Sequence, residues 1–341
     1  MLKKLTETFG VSGYEMPVRR LIEQEISPFC DRVRTDSMGN LIAYRAAAKN
    51  SETAKTVLLS AHMDEVGFIV TGISDEGYLS FESVGGIDPK ILISQKVGIN
   101  GISGVISLKA VHLSSKDELK DGVKEEKLYI DIGAASRAEA EEIVMPGDYC
   151  EFDSEYVEFG DMIKAKALDD RVGCAIMIEM LKKPHDVNLY CTFTVQEEVG
   201  LRGAAAAVYG LHPDYAVVIE STTCSDMTGT PDNLCVTKSG GGAAISVLDS
   251  ASHASAEVAK MLTDAARNSG IPYQLKASTA GGNDAGAIYL SNGGIKTASI
   301  SVPCRYIHSP VCVMNKNDYK SCGDIVAAFL NNCGKDAVVN G

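Results

Sequence analysis

The chain has 341 residues, of which 45% are hydrophobic and 23% charged, proportions that fit one large α/β domain or two moderate ones. Thirty-two Lys and Arg against 45 Asp and Glu leave a net charge of −13, a field that repels polyanions and argues against nucleic acid as a partner. No run of about 18 apolar residues is present to span a bilayer, and the opening MLKKLTETFG lacks the apolar core of a secretory leader, so a cytoplasmic setting without a membrane partner is expected.

Val18, Leu21, Ile22 and Ile26 recur at helical spacing and predict a helix over 16–26, while 56–60 is an apolar, β-branched run that stops at Ala61-His62. From Phe68 to about Lys164 the pattern changes to short strands broken by Asp75-Glu76-Gly77, Gly85-Gly86 and Asn100-Gly101. Inside this stretch, 114–127 (SSKDELKDGVKEEK) is polar enough to be a solvated loop, and 137–143 fits one short helix. After Asp169 the alternation resumes: a helix over 171–183, strands over 189–195 and 216–219, a helix near 257–267, a strand over 298–302 and a helix near 318–332. Alternating strands and helices predict an α/β fold with a mostly parallel sheet covered on both faces. The β-rich block interrupts that pattern, so it reads as an insertion at 69–164 splitting a domain made of 1–68 and 165–341.

Ten cysteines in a chain of this length are dilute, and none forms a C-x-x-C pair, so they are expected to be reduced. Cys174 and Cys191 lie in apolar stretches and read as small hydrophobic side chains.

The chemistry-bearing residues follow apolar strands. Leu58-Leu59 lead to His62 and Asp64, Ala165–Leu168 to Asp169-Asp170, Phe193 and Val195 to Glu197-Glu198, Val217–Ile219 to Glu220, and Ile300 and Val302 to His308. In open α/β sheets the carboxyl ends of the strands line one crevice, so residues distant in sequence can converge there. Two imidazoles and several carboxylates form a donor set for Zn²⁺, Co²⁺ or Mn²⁺, and two ions can share it if one carboxylate bridges. Such a pair, roughly 3.5 to 4 Å apart, polarises a carbonyl and acidifies an attacking water, and a nearby carboxylate must take the proton. Adjacent Glu197 and Glu198 can divide ligand and base duties, and His62-x-Asp64 lets a carboxylate orient a metal-binding imidazole.

These residues also resemble a known family, the M42 metallo-aminopeptidases, which include glutamyl, leucyl and lysyl aminopeptidases and the tetrahedral self-assembling enzymes. The matching pieces are SAHMDEVGF at 60–68, KALDDRVG at 166–173, QEEVGLRGA at 196–204, IES at 219–221, GGNDA at 281–285 and PCRYIHSP at 303–310, in family order across nearly the whole chain. The resemblance implies a di-metal aminopeptidase acting on short peptides. His62, Asp169 and Glu220 would hold one ion, and Asp169, Glu198 and His308 the other. Asp169 is preferred to Asp170 as the bridge because the family motif also accepts Asn at the second position. Glu197 would be the general base and Asp64 would hold His62. The implied cofactors are two divalent ions per subunit, zinc or cobalt, with manganese as a further candidate. Glu220 stands where many members carry Asp, one methylene shorter. The resemblance also makes 69–164 a dimerisation and assembly domain, implying dimers and dodecamers.

Other residues carry open readings. Asp284 is expected to cap the short helix starting near Ala285, with a bracing role in the site as the alternative. His112, His185, His212 and His253 fall outside the metal positions, and His185 and His212, each beside a proline, are expected in exposed turns. Gly240–Gly242 and Gly281-Gly282 would shape loops near the cleft or be ordinary turns. Arg305 and Tyr306 would touch substrate or build the turn before His308. Competing functions are a di-metal deacylase or amidohydrolase on another small substrate, a metal-independent glycosidase using paired carboxylates, and a non-catalytic assembly protein. The glycosidase leaves both histidines without a task, and the assembly protein has none for Glu197.

Overall fold

The computed structural model describes residues 1–110, 112 and 122–339. Its large sheet contains β1 (Arg32–Thr35), β2 (Leu41–Arg45), β3 (Thr56–His62), and, after an intervening barrel, β10 (Val157–Phe159), β11 (Met162–Ala165), β12 (Asn188–Thr194), β13 (Tyr215–Thr223), β14 (Ala243–Ser246), β15 (Tyr273–Leu275), β16 (Thr297–Arg305) and β17 (Cys312–Asn315). The order is β1-β2-β12-β3-β13-β16-β17-β11-β10, with β14 on β16 and β15 on β14. The expected parallel arrangement describes the centre, where β12, β3, β13 and β16 run parallel, and the flanking pairs β1-β2, β2-β12, β16-β17, β17-β11 and β11-β10 are antiparallel.

The central strands are apolar on both faces because helices cover both. Val57, Leu59 and Ala61 of β3 join the larger core with Val172, Ile176 and Phe329, whereas Leu58 packs on the other face with Ala204, Val208 and Ile288. Val217 and Ile219 of β13 divide from Ala216 and Val218 in the same way, following the two-residue period of a strand.

The barrel is built by β4 (Gly67–Ile73), β5 (Leu79–Val84), β6 (Lys96–Ile99), β7 (Ile102–Leu108), β8 (Leu128–Asp131) and β9 (Tyr149–Phe152), closed in the order β4-β5-β8-β7-β6-β9. Phe68 anchors its core, edge-on to Phe81 and Phe152 at centroid distances of 5.2 and 5.1 Å. The expected short helix appears as Arg137–Glu141. Of the expected polar loop, residues 114–121 lie outside the described residues. The barrel strands end at Phe152, and β10 and β11, which belong to the 69–164 stretch by sequence, pair in the large sheet.

A buried ion network joins barrel and sheet. Lys166, placed just before the site, sits 2.7 Å from Glu65 and 2.9 Å from Glu151 of β9. Arg171 reaches Glu65 at 3.2 Å and donates to the carbonyls of Met63 and Thr8. These contacts satisfy charges that burial would otherwise make costly.

Candidate active site and metal centre

The site opens where two parallel strands stop pairing. β13 is registered to β3 from Tyr215↔Val57 to Val218↔Ser60, after which β3 continues to His62 and β13 to Thr223 without further pairing between them. This parting leaves room between His62 and Glu220. Glu220 lies within β13, opposite Ser301 of β16, rather than beyond the strand end as the sequence pattern suggested, because the β13-β16 ladder continues to Thr223↔Cys304.

His62 Nε2 lies 3.5 Å from Asp169 Oδ1, 3.7 Å from Glu220 Oε2 and 4.0 Å from Glu197 Oε2. His308 Nε2 lies 3.3 Å from both Asp169 Oδ2 and Glu198 Oε2. Each ring is oriented by its other nitrogen: His62 Nδ1 meets the Asp64 carbonyl at 3.0 Å, and His308 Nδ1 meets the Gly86 carbonyl at 2.9 Å. A carbonyl only accepts, so Nδ1 donates in both rings and both Nε2 atoms are left facing the carboxylates.

Asp64 is fully buried and acts as a hub. It accepts the Ser12 hydroxyl at 2.5 Å and the backbone N–H groups of Glu197 and Glu198 at 3.1 Å each. Burial alone would raise its pKa, but these bonds and His62 outweigh that penalty and hold the carboxyl below its ordinary range. The local backbone is tight: Ala167, Gln196, Tyr306 and His308, all non-glycine, adopt left-handed φ angles of 51° to 58° beside the site residues. Asp169 and Asp170 are non-helical, so the regular helix begins at Arg171, and Asp170 accepts the N–H of Gly173 at 3.0 Å.

The electrostatics are those of too many carboxylates in too little water. Burial, reinforced by Asp284, Glu198 and Asp169, pushes Glu197 up to about 9, and burial with Asp169 pushes Glu198 up to about 7. Burial and neighbouring Asp170 hold Glu220 well above the carboxylate range. His308 resists its own desolvation because Asp169 and Glu198 face it, and it rises to about 10. Asp169 is the exception: burial is outweighed by His308 and His62, which keep it below its usual range.

The donor atoms form three groups able to hold a metal ion: His62, Asp169 and Glu220; Asp169, Glu198 and His308; and His62, Glu197 and Glu198. Within each group the donor atoms lie no more than 4.8 Å apart. Asp169 Oδ1 and Glu220 Oε1 are buried without a hydrogen-bond partner. Orphaned carboxylate oxygens and imidazole Nε2 atoms turned toward the same space fit divalent cations by both charge and donor chemistry. They face a cleft of about 620 Å³.

A family model described as M42 glutamyl aminopeptidase matches residues 39–325, a span containing the whole cluster. The chain belongs to the M42 family. It is therefore a hydrolase of the metallo-aminopeptidase type. This M42 chain is 42% identical over 322 residues to a putative aminopeptidase of Acetivibrio thermocellus, covering 93% of this chain and 94% of that protein. An aminopeptidase from the archaeon Desulfurococcus kamchatkensis matches with a TM-score of 0.91 at 36% identity, covering 97% of this chain and 93% of that chain. The TET1 peptidase of Pyrococcus horikoshii, described as assembling into a tetrahedron or a large octahedral shell, matches with a TM-score of 0.84 at 36% identity over 96% of this chain and 98% of that one.

In the M42 chain His62, Asp64, Asp169, Glu197, Glu198, Glu220 and His308, the residues singled out from sequence, converge in one cluster. Several of the other expectations are overturned. Asp284 makes no side-chain cap bond; it accepts the Thr194 hydroxyl at 2.5 Å, its other oxygen has no partner, and burial pushes it up to about 6. His185 is buried rather than in an exposed turn, because Nε2 bonds the Met180 carbonyl at 2.9 Å and ties down the end of the helix. Arg305 forms a two-pronged pair with Asp226 at 2.8 Å, a task in the turn, and Tyr306 is half exposed. Gly281 and Gly282 line the cleft, whereas Gly240 and Gly242 give their N–H groups to Asp318 outside it. All ten cysteines are free thiols. No helix among the described residues is long and apolar enough to cross a membrane. Ser12 and Lys276 carried no sequence signal; Gly86 did, but only as a turn.

Proposed function

We propose that this protein removes N-terminal residues from short peptides, using two divalent ions and a glutamate base. The observation that carries the reading is the span of Asp169, whose Oδ1 faces His62 and whose Oδ2 faces His308 at 3.5 and 3.3 Å. One carboxylate placed between two imidazole–carboxylate groups is what a shared pair of cations needs. His62, Asp169 and Glu220 would hold one ion, and Asp169, Glu198 and His308 the other. Zinc or cobalt suits this mixed nitrogen and oxygen set, and manganese is compatible with its carboxylates. When bound, the ions supply Lewis acidity to the scissile carbonyl and to the attacking water.

The chain's own residues do the rest. Glu197 takes the proton of the water and returns it to the leaving amine, so no net proton is gained or lost by the side chain. In the cation-free cluster Glu197 holds its proton to about 9; with cations bound beside it, its carboxylate form, the one that can act as base, would be favoured. Asp64 positions both partners at once, holding the His62 ring and the backbone of Glu197 and Glu198. The stretch 69–164 serves as a dimerisation and assembly unit, forming dimers and dodecamers that admit small peptides; the TET1 peptidase described as assembling into a tetrahedron or a large octahedral shell supports self-association.

The test is metal analysis combined with cleavage of a peptide panel and its N-acetylated counterparts. The reading expects about two divalent ions per chain, loss of turnover on chelation with recovery on zinc, cobalt or manganese addition, and cleavage only of free amino termini. Preferred turnover of the acetylated set would transfer the site to deacylation.

A further inference from the structure

Three successive backbone N–H groups carry the chain from β12 into the site, and a buried carboxylate from another segment holds each of them. The N–H of Gln196 donates to Glu15 Oε1 at 3.2 Å, and those of Glu197 and Glu198 donate to the two oxygens of Asp64 at 3.1 Å each. The two carboxylates are delivered together. Ser12, three residues before Glu15, gives its hydroxyl to Asp64 at 2.5 Å and its N–H to the Glu65 carbonyl at 3.2 Å, and Val11 forms a parallel bridge with Glu65. The turn from Ser12 to Glu15 has little room to shift: the Gly13 N–H also donates to Glu15 Oε1, at 2.7 Å, and a Cβ on Gly13 would come within 2.5 Å of the Tyr149 hydroxyl. Tyr14 stacks on the same Tyr149 ring at a centroid distance of 5.7 Å.

Glu15 stands at the N-cap of the helix Met16–Ile26, where a polar side chain ordinarily bonds the first turn, yet it makes no cap bond. It is buried, at 5% exposure, and burial raises its pKa against the pull of the Gly13 and Gln196 N–H groups. A carboxylate withdrawn from water and turned away from its own helix is directed at Gln196 instead. The need is local: Gln196 is a non-glycine residue at φ 56°, in the left-handed region that side chains disfavour. Its carbonyl is tied as well, accepting the Arg202 N–H at 3.1 Å. Without an acceptor at Glu15 the Gln196 backbone would relax toward negative φ, which rotates the peptide plane leading to Glu197.

We infer that Glu15 is a positioning residue for Glu197: by holding the Gln196 N–H it keeps the preceding backbone left-handed and aims the Glu197 carboxylate into the cluster. The inference rests on the reading of Glu197 as the base and adds the residue that aims it. Glu198 is one residue further from this anchor and keeps its own bond to Asp64, so loss of Glu15 falls on turnover rather than on metal. The two carboxylates thus divide the work, Asp64 holding the ligand side of the loop and Glu15 its approach from β12.

The experiment uses the metal-loaded full chain and measures peptide turnover, bound metal and amide hydrogen exchange by mass spectrometry over peptides spanning 195–202. Glu15→Ala should lower kcat by about tenfold or more with KM and metal content unchanged, the expected cost of a lost charge-assisted hydrogen bond and a displaced catalytic group. Exchange at the 196–198 amides should speed up in this variant. Glu15→Gln keeps the acceptor and should keep both kcat, within about twofold, and slow exchange. Adding Gln196→Gly to Glu15→Ala should recover most of the lost kcat, because glycine adopts a positive φ without an anchor; damage through the helix Met16–Ile26 would not be recovered. Should Glu15→Ala fail to fold, Glu15→Asp, one methylene short of Gln196, should lower kcat several-fold at unchanged metal content. Unchanged kcat and exchange in Glu15→Ala, a loss that neither Gln at 15 nor Gly at 196 restores, or a parallel loss of metal would each overturn the inference. No turnover of any peptide by the parent protein defeats the aminopeptidase reading instead. Exchange then decides alone: protection lost in Glu15→Ala and kept in Glu15→Gln upholds the hold of Glu15 on Gln196, and protection unchanged in both ends it.

Discussion

The Nδ1 of His308 is hydrogen-bonded to the carbonyl of Gly86 at 2.9 Å, across 222 positions of sequence. Gly86 follows the barrel strand β5, while His308 follows β16 of the large sheet. The barrel side of the molecule thus sets the ring that turns Nε2 toward Asp169 and Glu198. A ligand group completed across two structural units is distinct from the His62 group, whose orienting carbonyl, Asp64, is two residues away on the same segment.

This difference gives ligand substitutions distinct outcomes. His308→Ala should lower bound metal from about two ions to about one per chain, since His62, Asp169 and Glu220 remain. Asp169→Ala should weaken both sites together, because each loses a negatively charged oxygen and the repulsion between ions is no longer offset. Isothermal titration with zinc separates the cases; two undisturbed sites in Asp169→Ala would exclude the bridge.

Glu197 and Glu198 are neighbours in sequence held by the same Asp64 carboxylate, yet their substitutions should fail differently. Glu197→Gln should keep its metal and lose turnover by roughly 10²-fold or more, the usual contribution of a positioned general base. Glu198→Gln should also reduce metal occupancy, because Glu198 Oε2 faces His308. Near-normal turnover by metal-loaded Glu197→Gln would remove it from the proton path.

The cluster also makes a signed prediction about pH. In the metal-free protein Asp284, Glu198 and Glu197 titrate near 6, 7 and 9, above the ordinary carboxylate range, and His308 near 10 is above the ordinary histidine range. Between pH 6 and 9 the folded state therefore holds more protons than the unfolded chain, so its stability falls as pH rises. The lowered Asp64 and Asp169 act only in acid, where their contribution is lost as pH falls. Thermal melts of the metal-free protein should move to lower temperature from pH 6 to 9. Zinc should restore stability most at the alkaline end and release protons on binding, measurable by calorimetry in buffers of different ionisation enthalpy. A metal-free melting temperature that rises over this window would contradict the arrangement.

Much of the site was legible because its residues sit where apolar strands stop or part, a break in local pattern that needs no knowledge of the partner strand. His62 and Glu220 show this, although β13 runs on past Glu220. What the pattern missed depends on distant contacts. β11 looks like one more short strand after the barrel, but Ala165 pairs with Cys312, a register that no local periodicity reveals. Asp284 precedes a short helix, as a capping residue would, and its real partner, Thr194, lies on a central strand. Lys276 is one lysine among many until the chain after β15 carries it, with Gly281 and Gly282, to the wall of the cleft.

The last prediction concerns association. Short strands in an inserted block would leave edges for a second subunit if they stayed open, but closure between β4 and β9 pairs the barrel all round. The open edge in this stretch is β10, the terminal strand of the large sheet among the described residues, and its Val157 and Phe159 are 39% and 49% exposed. An apolar edge strand is a template for another chain unless something covers it. If 69–164 carries the subunit contacts, β10 is the edge to challenge. Phe159→Lys adds a charge where Phe159 pairs with Met162 across a tight hairpin, and Phe159 belongs to none of the metal-binding groups. Light scattering should find the intact protein as dimers or larger shells and the Phe159→Lys variant shifted toward smaller species, with metal content unchanged. A monomer of the intact protein at all concentrations and metal loadings would refute the assembly while leaving the proposed chemistry in place.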